Sequence, residues 1–226
     1  MKKLIDKIYH NHFFAWLFPT TVFCLRKNLK DCESVLDLGC GPSSPLQYCR
    51  NVKYSVGVET FKPYLEEAKK RKIHNEYLEK KIEDVNFPEK SFDAVILIEV
   101  LEHLPEDAGC KMLARAEKWA RKKVIVSTPS GFLPQNEYDG NSYQAHLSGW
   151  NVEMMKKMNF RCRGLSGFKF IRYSEPVEIS QGQEDFMASI RLRPRFFWFA
   201  AATLSQLITY YFPRRAFEIF CVKEIK

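Results

Sequence analysis

The feature that most constrains the fold is the stretch Val35–Pro45, Val-Leu-Asp-Leu-Gly-Cys-Gly-Pro-Ser-Ser-Pro. Its apolar beginning is typical of a buried parallel strand. Gly39 and Gly41 follow, and glycine lets the backbone turn sharply and come close to a ligand because it has no Cβ. Ser44 is a favourable N-cap and Pro45 a favourable first helical residue, so we expect a helix to begin there. A strand, a glycine turn and a helix N-terminus together form a nucleotide-binding cradle.

The residues around the glycines indicate which nucleotide is bound. A dinucleotide fingerprint, G-x-G-x-x-G/A, needs Gly or Ala where this chain has Ser44. Instead, Asp37 lies two residues before the first glycine. The run Asp-Leu-Gly-Cys-Gly resembles motif I of class I S-adenosylmethionine-dependent methyltransferases, D/E-x-G-x-G-x-G, with Ser43 in place of the third glycine. The resemblance implies S-adenosylmethionine as the cofactor.

Further motifs of that family follow in the expected order. The predicted strand Tyr54–Glu59 ends in an acid at the place of motif II, where a carboxylate can accept both ribose hydroxyls. The run Glu99–Leu104, Glu-Val-Leu-Glu-His-Leu, resembles the E-x-x-E-H-L signature after the fourth strand. The chain therefore resembles class I methyltransferases of the methyltransferase-11/23 type over residues 33–165 and the last strand.

The resemblance also implies which residues contact the cofactor. Ile82 would give a backbone N–H and an apolar wall to the adenine. Lys81 occupies the position where the family often has an acid near the adenine amine. The full set of predicted cofactor contacts is Asp37, Gly39, Cys40, Gly41, Glu59, Thr60, Ile82 and Glu99.

Alternating apolar runs and helical patterns predict an α/β fold. Strands are expected at 35–38, 54–59, 77–80, 92–98, 123–129, 160–165 and 216–222, and helices at 62–71, 106–120 and 151–158. The resemblance implies a Rossmann-like, doubly wound, seven-stranded and mostly parallel sheet with an antiparallel terminal hairpin. Residues 31–226 would form this methyltransferase domain, and residues 166–215 an insertion with an apolar helix before the last strand.

The cysteine content and the net charge indicate the cellular compartment and the kind of partner. Seven cysteines without C-x-x-C spacing argue against a zinc site or a disulfide framework and favour a reducing cytoplasm. The net charge of +8 gives a mild bias toward anionic partners. We therefore predict a cytoplasmic protein without a resident metal, and we do not expect nucleic acid as a partner because no RNA-binding module is recognisable.

Two histidines are candidates for acid–base chemistry. His103 lies four residues after Glu99, so the two share a face if this segment is helical. A backbone hydrogen bond that fixes the turn is an equally good explanation of His103. The resemblance places His146 just before the helix 151–158, and its near-neutral pKa suits histidine for taking a hydroxyl proton. A structural role as a cap of that helix fits His146 as well.

A long polar and aromatic loop follows the fifth predicted strand. Loops of this length inside compact domains are usually functional. We expect it to form the wall of the acceptor site, with Tyr138, Tyr143 and Trp150 as substrate-binding residues. The Asn-Pro-Pro-Tyr tetrapeptide, which marks many amine methyltransferases, does not follow the fourth strand. This favours O-methylation of a small or lipid-linked acceptor.

Two other functions fit parts of the pattern. Small-RNA terminal 2′-O-methyltransferases hold a divalent metal with two acids and two histidines. This chain resembles them in having Glu99, Glu102, His103 and His146 at the matching positions. The same E-x-x-E-H signature occurs in metal-free relatives, so metal-dependent RNA methylation is the alternative and not the leading prediction. Lys81 and Ser43 depart from the family pattern, which leaves a non-catalytic S-adenosylmethionine-binding module as a further alternative.

Two apolar segments with basic neighbours lie outside the family motifs. Residues 1–30 are predicted to form an N-terminal amphipathic helical cap. Phe196–Phe212 contains no charged residue and lies between arginines. A single membrane crossing there would put the last strand on the wrong side. The two segments either form a lid over the acceptor pocket or dock on the cytoplasmic face of an anionic membrane, and composition does not separate these possibilities.

Overall fold

The computed structural model describes residues 18–137, 140–172 and 189–225. Seven strands form one sheet: β1 (Ser34–Leu38), β2 (Tyr54–Glu59), β3 (Glu76–Glu79), β4 (Phe92–Ile98), β5 (Ala120–Pro129), β6 (Arg161–Phe168) and β7 (Ala216–Glu224). The α-helices of the described residues are α1 (Thr21–Asn28), α2 (Lys62–Arg71), α3 (Glu106–Trp119), α4 (Val152–Lys157) and α5 (Arg195–Thr209). Every predicted strand is present, with shifts of a few residues at the ends.

The strand order β3-β2-β1-β4-β5-β7-β6 confirms the predicted doubly wound sheet. β1 to β5 pair in parallel, and β7 lies antiparallel between β5 and β6. The order reverses at β1, because the chain runs outward to β3 and then continues with β4 on the other side of β1. In such sheets a ligand crevice opens at the carboxyl ends of the strands at the point of reversal. The ends of β1, β2 and β4 therefore border the expected site.

Apolar layers cover both faces of the sheet. β1 contributes to both layers, because successive side chains of a strand point to opposite faces. Leu36 and Leu38 join the layer that includes α3 and α4, whereas Val35 joins the layer that includes α1. Leu25 of α1 and Leu29 just after it are fully buried in the second layer. The sheet is thus fixed from both sides, and its strand ends are held in place.

The helix predicted directly after the glycine turn is only a single 3-10 turn. Ser44 is its N-cap and Pro45 lies in its first turn, as expected, but the turn ends at Tyr48. α1 lies beside this turn instead, and Arg26 Nε of α1 donates a hydrogen bond of 2.8 Å to the Tyr48 carbonyl. A helix that precedes β1 in the chain therefore packs against this short turn.

The predicted N-terminal cap and the insertion are described only in part. Residues 1–17 of the cap and residues 173–188 of the insertion lie outside the described residues. The apolar helix of the insertion is present as α5, and it packs very closely on β6. A Cβ on Gly164 would lie 2.2 Å from the Thr209 carbonyl oxygen, and one on Gly167 would lie 2.2 Å from that of Ala202. Glycine at both positions is what permits this close approach.

Candidate active site

A cavity of about 260 Å³ opens at the carboxyl ends of β1, β2 and β4. One wall holds five of the predicted cofactor contacts: Gly39, Glu59, Thr60, Ile82 and Glu99. The other wall comes from the segment after β4 and the loop after β5, through Val100, His103, Leu104, Asn141, Tyr143, Gln144 and Leu147. The cavity is therefore a cleft between the strand ends and that loop.

Gly39 lines the cavity with its backbone, because it has no side chain. Its φ is 69°, and a Cβ at this position would lie 2.7 Å from Val100 Cγ2. The N–H groups of Gly39 and Cys40 both donate to the Val58 carbonyl, at 2.8 and 3.0 Å, which fastens the glycine turn to the end of β2. Only glycine satisfies both the positive φ and the close contact. This turn can therefore approach a ligand closely without moving.

The Glu59 carboxylate is held in place at the end of β2. Gly41 N donates to Oε2 at 3.0 Å, and Phe61 N donates to Oε1 at 2.8 Å. Burial raises the pKa of Glu59, and these hydrogen bonds oppose the rise because they stabilise the carboxylate. Each carboxylate oxygen keeps a further lone pair, so Glu59 can accept two ribose hydroxyls. With Gly39 and Ile82, Glu59 fits the nucleoside of S-adenosylmethionine.

Three predicted cofactor contacts do not line the cavity. The Asp37 and Cys40 side chains are buried beneath the glycine turn, and Gly41 uses its N–H to hold Glu59. The side chains of Asp37 and Cys40 therefore do not face the cavity, and their contact with the cofactor stays a prediction. Asp37 stabilises the turn from below, because its Oδ2 accepts a hydrogen bond of 2.5 Å from Ser44 Oγ.

His74, which the sequence analysis missed, faces Asp37 in the interior. Its Nε2 lies 3.5 Å from Asp37 Oδ2, and its Nδ1 lies 3.2 Å from Ser55 Oγ. Burial raises the pKa of Asp37 to about 7 and lowers the pKa of His74 to about 4. The pair therefore favours a protonated carboxyl beside a neutral imidazole. At 3.5 Å, the protonated carboxyl is the donor nearest to His74 Nε2, which forms no shorter hydrogen bond among the described residues.

Glu99 belongs to a group of acids that share protons. Ser127 Oγ on β5 lies 2.6 Å from Glu99 Oε1 and 2.5 Å from Oε1 of Glu218 on β7. A serine hydroxyl has one proton, so one of these contacts needs a protonated carboxyl as its donor. Burial raises the pKa of Glu99 well above its ordinary value, and nearby Glu218 and Glu102 add to the rise. We therefore assign the shared proton to Glu99.

A second cavity of about 270 Å³ lies between α1, β6 and α5. Ser166 is in its wall and donates a hydrogen bond of 2.8 Å to Oε2 of Glu218. The hydrogen-bonded series Glu99, Ser127, Glu218 and Ser166 therefore runs from the wall of the first cavity to the wall of the second. Only Glu99 of this series lies in a sequence motif, so the other three residues could not be predicted.

Glu102 ties the loop after β5 to the segment after β4. Its carbonyl accepts hydrogen bonds from Leu147 N at 2.7 Å and Ser148 N at 3.1 Å. Its carboxylate accepts a hydrogen bond of 2.9 Å from Thr128 Oγ1. Burial raises the pKa of Glu102 to about 7. These contacts hold the loop over the cavity, in the position expected of an acceptor-site wall.

His103 and His146 lie side by side, with ring centroids 4.8 Å apart. Nδ1 of His103 lies 3.1 Å from the Ala145 carbonyl oxygen, and Nδ1 of His146 lies 2.5 Å from that of Leu133. Because a carbonyl only accepts, each Nδ1 carries a proton and each neutral ring keeps a lone pair on Nε2. Burial lowers the pKa of His103 to about 4 and also lowers the pKa of His146. Each ring thus combines a structural hydrogen bond with an unprotonated nitrogen.

The two histidines and Glu102 are also close enough to share an ion. Each of the three offers one ligand atom, and these atoms lie within 4.8 Å of one another. Imidazole and carboxylate ligands at such spacing suit a divalent transition metal. Glu99, the fourth residue of the metal-binding pattern considered above, is hydrogen-bonded to Ser127 instead and is not in this group. The lack of a resident metal stays a prediction.

The residues predicted to contact the substrate differ in their placement. Tyr143 lines the cavity, and Lys81 Nζ lies 5.6 Å from the centroid of its ring. The prediction for Trp150 is wrong, because its side chain is fully buried and its Nε1 donates to Ser148 Oγ at 2.9 Å. Trp150 instead anchors the end of the loop in the core. Tyr138 lies outside the described residues.

Comparisons with known proteins agree with this geometry. Residues 36–128 match the family model of a methyltransferase domain. The matched range runs from β1 into β5, so it contains the strand ends that form the cofactor side of the cavity. No curated protein sequence matches the chain.

Solved structures share the fold. A SAM-dependent methyltransferase from Archaeoglobus fulgidus has a TM-score of 0.54 at 13% identity, over 95% of this chain and 100% of that chain. The YcgJ protein from Bacillus subtilis has a TM-score of 0.53 at 12% identity, over 91% and 97%. The plantazolicin methyltransferase BpumL, solved in complex with SAH, has a TM-score of 0.52 at 10% identity, over 100% and 90%.

Residues 36–128 of this chain are a methyltransferase domain, so the chain is an S-adenosylmethionine-dependent enzyme. The matched domain model gives the enzyme class, and the Rossmann-like sheet with its antiparallel terminal pair gives the fold. S-adenosylmethionine is the cofactor, and the glycine turn and Glu59 are the residues whose geometry fits it best.

Proposed function

We propose that this methyltransferase methylates a hydroxyl group of a small or lipid-linked acceptor, with His103 as the base. One observation carries the proposal: a neutral imidazole lies in the cavity wall, and its hydrogen bond to the Ala145 carbonyl leaves a lone pair on Nε2. His146 packs against the ring of His103 and acts as a positioning residue.

The cavity supports a small acceptor with an apolar body. The cofactor and the acceptor share its volume of about 260 Å³, which leaves room only for a small acceptor group beside the cofactor. Leu104 and Leu147 lie in its wall beside the amides of Asn141 and Gln144. Such a wall suits a ring or chain that carries one hydroxyl, and a prenyl-substituted phenol is an acceptor of this class.

His103 would remove the proton that the acceptor must lose. When bound, S-adenosylmethionine supplies the methyl group, which passes from its sulfonium sulfur to the acceptor oxygen. His103 Nε2 takes the hydroxyl proton, and the nearby Glu102 carboxylate stabilises the imidazolium that forms. Alignment of the acceptor by the loop after β5 reduces the entropic part of the barrier. A positioned base contributes about 10²–10⁴-fold to such a step.

Replacing His103 by Gln tests the role of the base. We expect kcat to fall by about 10²–10³-fold, because Gln cannot take the proton, while the cofactor Kd changes by less than about threefold. His146→Gln should lower kcat by about tenfold and leave the cofactor Kd equally unaffected. Transfer of labelled methyl to a panel of prenylated phenols and matched amines gives kcat, and isothermal titration gives the Kd.

Three results would contradict the proposal. Equal losses of turnover and cofactor affinity in His103→Gln would give this residue a structural role only. Methylation of the amines without methylation of the phenols would exclude O-methylation. Activity that a chelator abolishes and a divalent cation restores would make His103 and His146 metal ligands instead.

A further inference from the structure

The helix α5 buries its polar side and exposes its apolar side. Its buried positions are Ala202, Ser205, Gln206 and Thr209. Ser205 Oγ accepts a hydrogen bond of 3.1 Å from Phe168 N, and Gln206 Nε2 donates to the Pro19 carbonyl. These polar groups are therefore satisfied within the protein. The packing of α5 uses small and polar side chains against the glycines of β6 and leaves its large apolar residues outside.

The exposed side of α5 is a continuous apolar stripe. Its large members, between 45% and 73% exposed, are Phe196, Phe197, Leu204, Leu207, Ile208, Tyr211 and Phe212. Leu204, Ile208 and Phe212 are spaced by four residues and Leu207 and Tyr211 alternate with them, which places them on one side of the helix and its C-terminal end. Apolar stripes of this kind on a protein surface mark an interaction site.

The charges at both ends of α5 have one sign. Residues 189–217 contain five arginines, Arg191, Arg193, Arg195, Arg214 and Arg215, and no acid. All but Arg195 belong to exposed residues, and Arg214 also forms an ion pair of 2.5 Å with Glu153 of α4. An apolar stripe between two basic ends is typical of a helix that lies in the plane of an anionic lipid surface.

The length of α5 determines how it can meet a bilayer. Fifteen residues span about 22 Å, which is shorter than the hydrocarbon core of about 30 Å. Among the residues that the structure describes, no helix has the length and apolar character of a membrane span. β7 follows α5 and lies between β5 and β6, so both ends of the helix return to the same domain. A helix of this kind can lie along the surface.

We propose that the exposed side of α5 docks on an anionic lipid bilayer, with its apolar stripe in the interface and its arginines on lipid phosphates. Charge complementarity favours a bilayer over a second copy of the chain, because two copies joined through this surface would oppose their arginines. Guanidinium groups pair well with phosphates. This proposal goes beyond the proposed acceptor chemistry and does not depend on it.

Co-sedimentation of the full chain with vesicles tests the docking surface. The vesicles are phosphatidylcholine alone or phosphatidylcholine with phosphatidylglycerol at three to one, each at low and high salt. We expect binding to the anionic vesicles at low salt and a loss of most of it at high salt, because salt screens the arginines. Leu204→Gln/Ile208→Gln should reduce the partition coefficient by at least about tenfold, since both apolar side chains leave the interface.

A charge variant and its matched control separate the local effect from net charge. Each basic residue near an anionic surface is worth about fivefold in partitioning, so Arg214→Gln/Arg215→Gln should lose about twentyfold. Lys70→Gln/Arg71→Gln removes the same charge on α2, beside β2 and β3 at the other edge of the sheet, and should bind as the wild type does. Circular dichroism checks that each variant is folded.

The proposal is overturned by any of three results. The first is a folded wild type that does not bind anionic vesicles at low salt. The second is a change in binding that does not follow α5. This is the case if Leu204→Gln/Ile208→Gln binds as the wild type does, or if the control Lys70→Gln/Arg71→Gln loses as much binding as the α5 charge variant. The third is a wild-type dimer that Leu204→Gln/Ile208→Gln converts to a monomer, which would identify a second copy as the occupant.

Discussion

The acids at the strand ends differ in their tasks because their surroundings differ. Glu59 keeps lone pairs free at the cavity, whereas Asp37 is buried under the glycine turn and bonded to Ser44. The positions of both acids could be predicted from the sequence, because each lies at a fixed distance from the glycines, but the burial of Asp37 could not. His74 and Glu218 could not be predicted, since their contacts join positions that no motif relates and that only the folded sheet brings together.

The Asp37–His74 pair predicts a pH-dependent stability. Asp37 keeps its proton to about pH 7 in the native protein and loses it near pH 4 when unfolded, so its contribution to stability falls as pH rises through this window. The pKa of His74 is lowered to about 4, so its contribution to the free energy of unfolding rises with pH between about pH 4 and 6.5. The two trends largely cancel in the wild type.

Replacing Asp37 by Asn removes one of the two opposing trends. The amide keeps an acceptor for Ser44 and a donor for His74, but it cannot ionise. We expect the difference in free energy of unfolding, variant minus wild type, to increase by about 2–3 kcal/mol as the pH rises from 5 to 8. Urea denaturation at each pH measures this difference. Asp107→Asn, at an exposed site on α3, should show no such change. A difference that is independent of pH, or that moves in favour of the wild type, would contradict the proton assignment.

At the scale of elements, the strands were the most predictable part of the fold. Their apolar runs end in acids or turn residues, and β2, β4 and α2 have the predicted bounds. The helix after the glycine turn was overpredicted, because N-cap signals fix where a helix begins and not whether tertiary packing extends it. The orientation of α5 was also hidden from sequence, since its apolar composition does not reveal that β6 presents glycines to its polar side.

The close packing of α5 on β6 predicts a large cost for a methyl group at Gly167. This residue has φ 74°, and a Cβ there would lie 2.2 Å from the Ala202 carbonyl oxygen. Gly140, with φ 68° and no atom within 4 Å of a Cβ, is a matched control that carries only the backbone penalty. We expect Gly140→Ala to cost about 1–2 kcal/mol of unfolding free energy and Gly167→Ala at least 2 kcal/mol more. Equal costs in denaturant unfolding would show that α5 does not press on β6.

At the scale of the whole molecule, the site arises from elements that are distant in the chain. The order of the motifs indicated the family and hence the sheet, and with it the edge at which the cavity lies. What the motifs could not indicate is the closure of the cavity by the loop after β5, because that depends on the backbone contacts of Glu102. The cofactor side of the site was therefore more predictable than the acceptor side.

The most direct test of the central claim is isothermal titration of the folded protein with S-adenosylmethionine. We predict one bound cofactor per chain and a Kd that Glu59→Ala raises by about 10–100-fold, because charge-assisted hydrogen bonds to the ribose are lost. The matched control is Glu79→Ala, which removes an exposed acid at the paired position of β3 and should leave the Kd unchanged. A wild-type protein that is folded but does not bind the cofactor, or a Glu59→Ala variant that binds it as tightly as the wild type, would contradict the account.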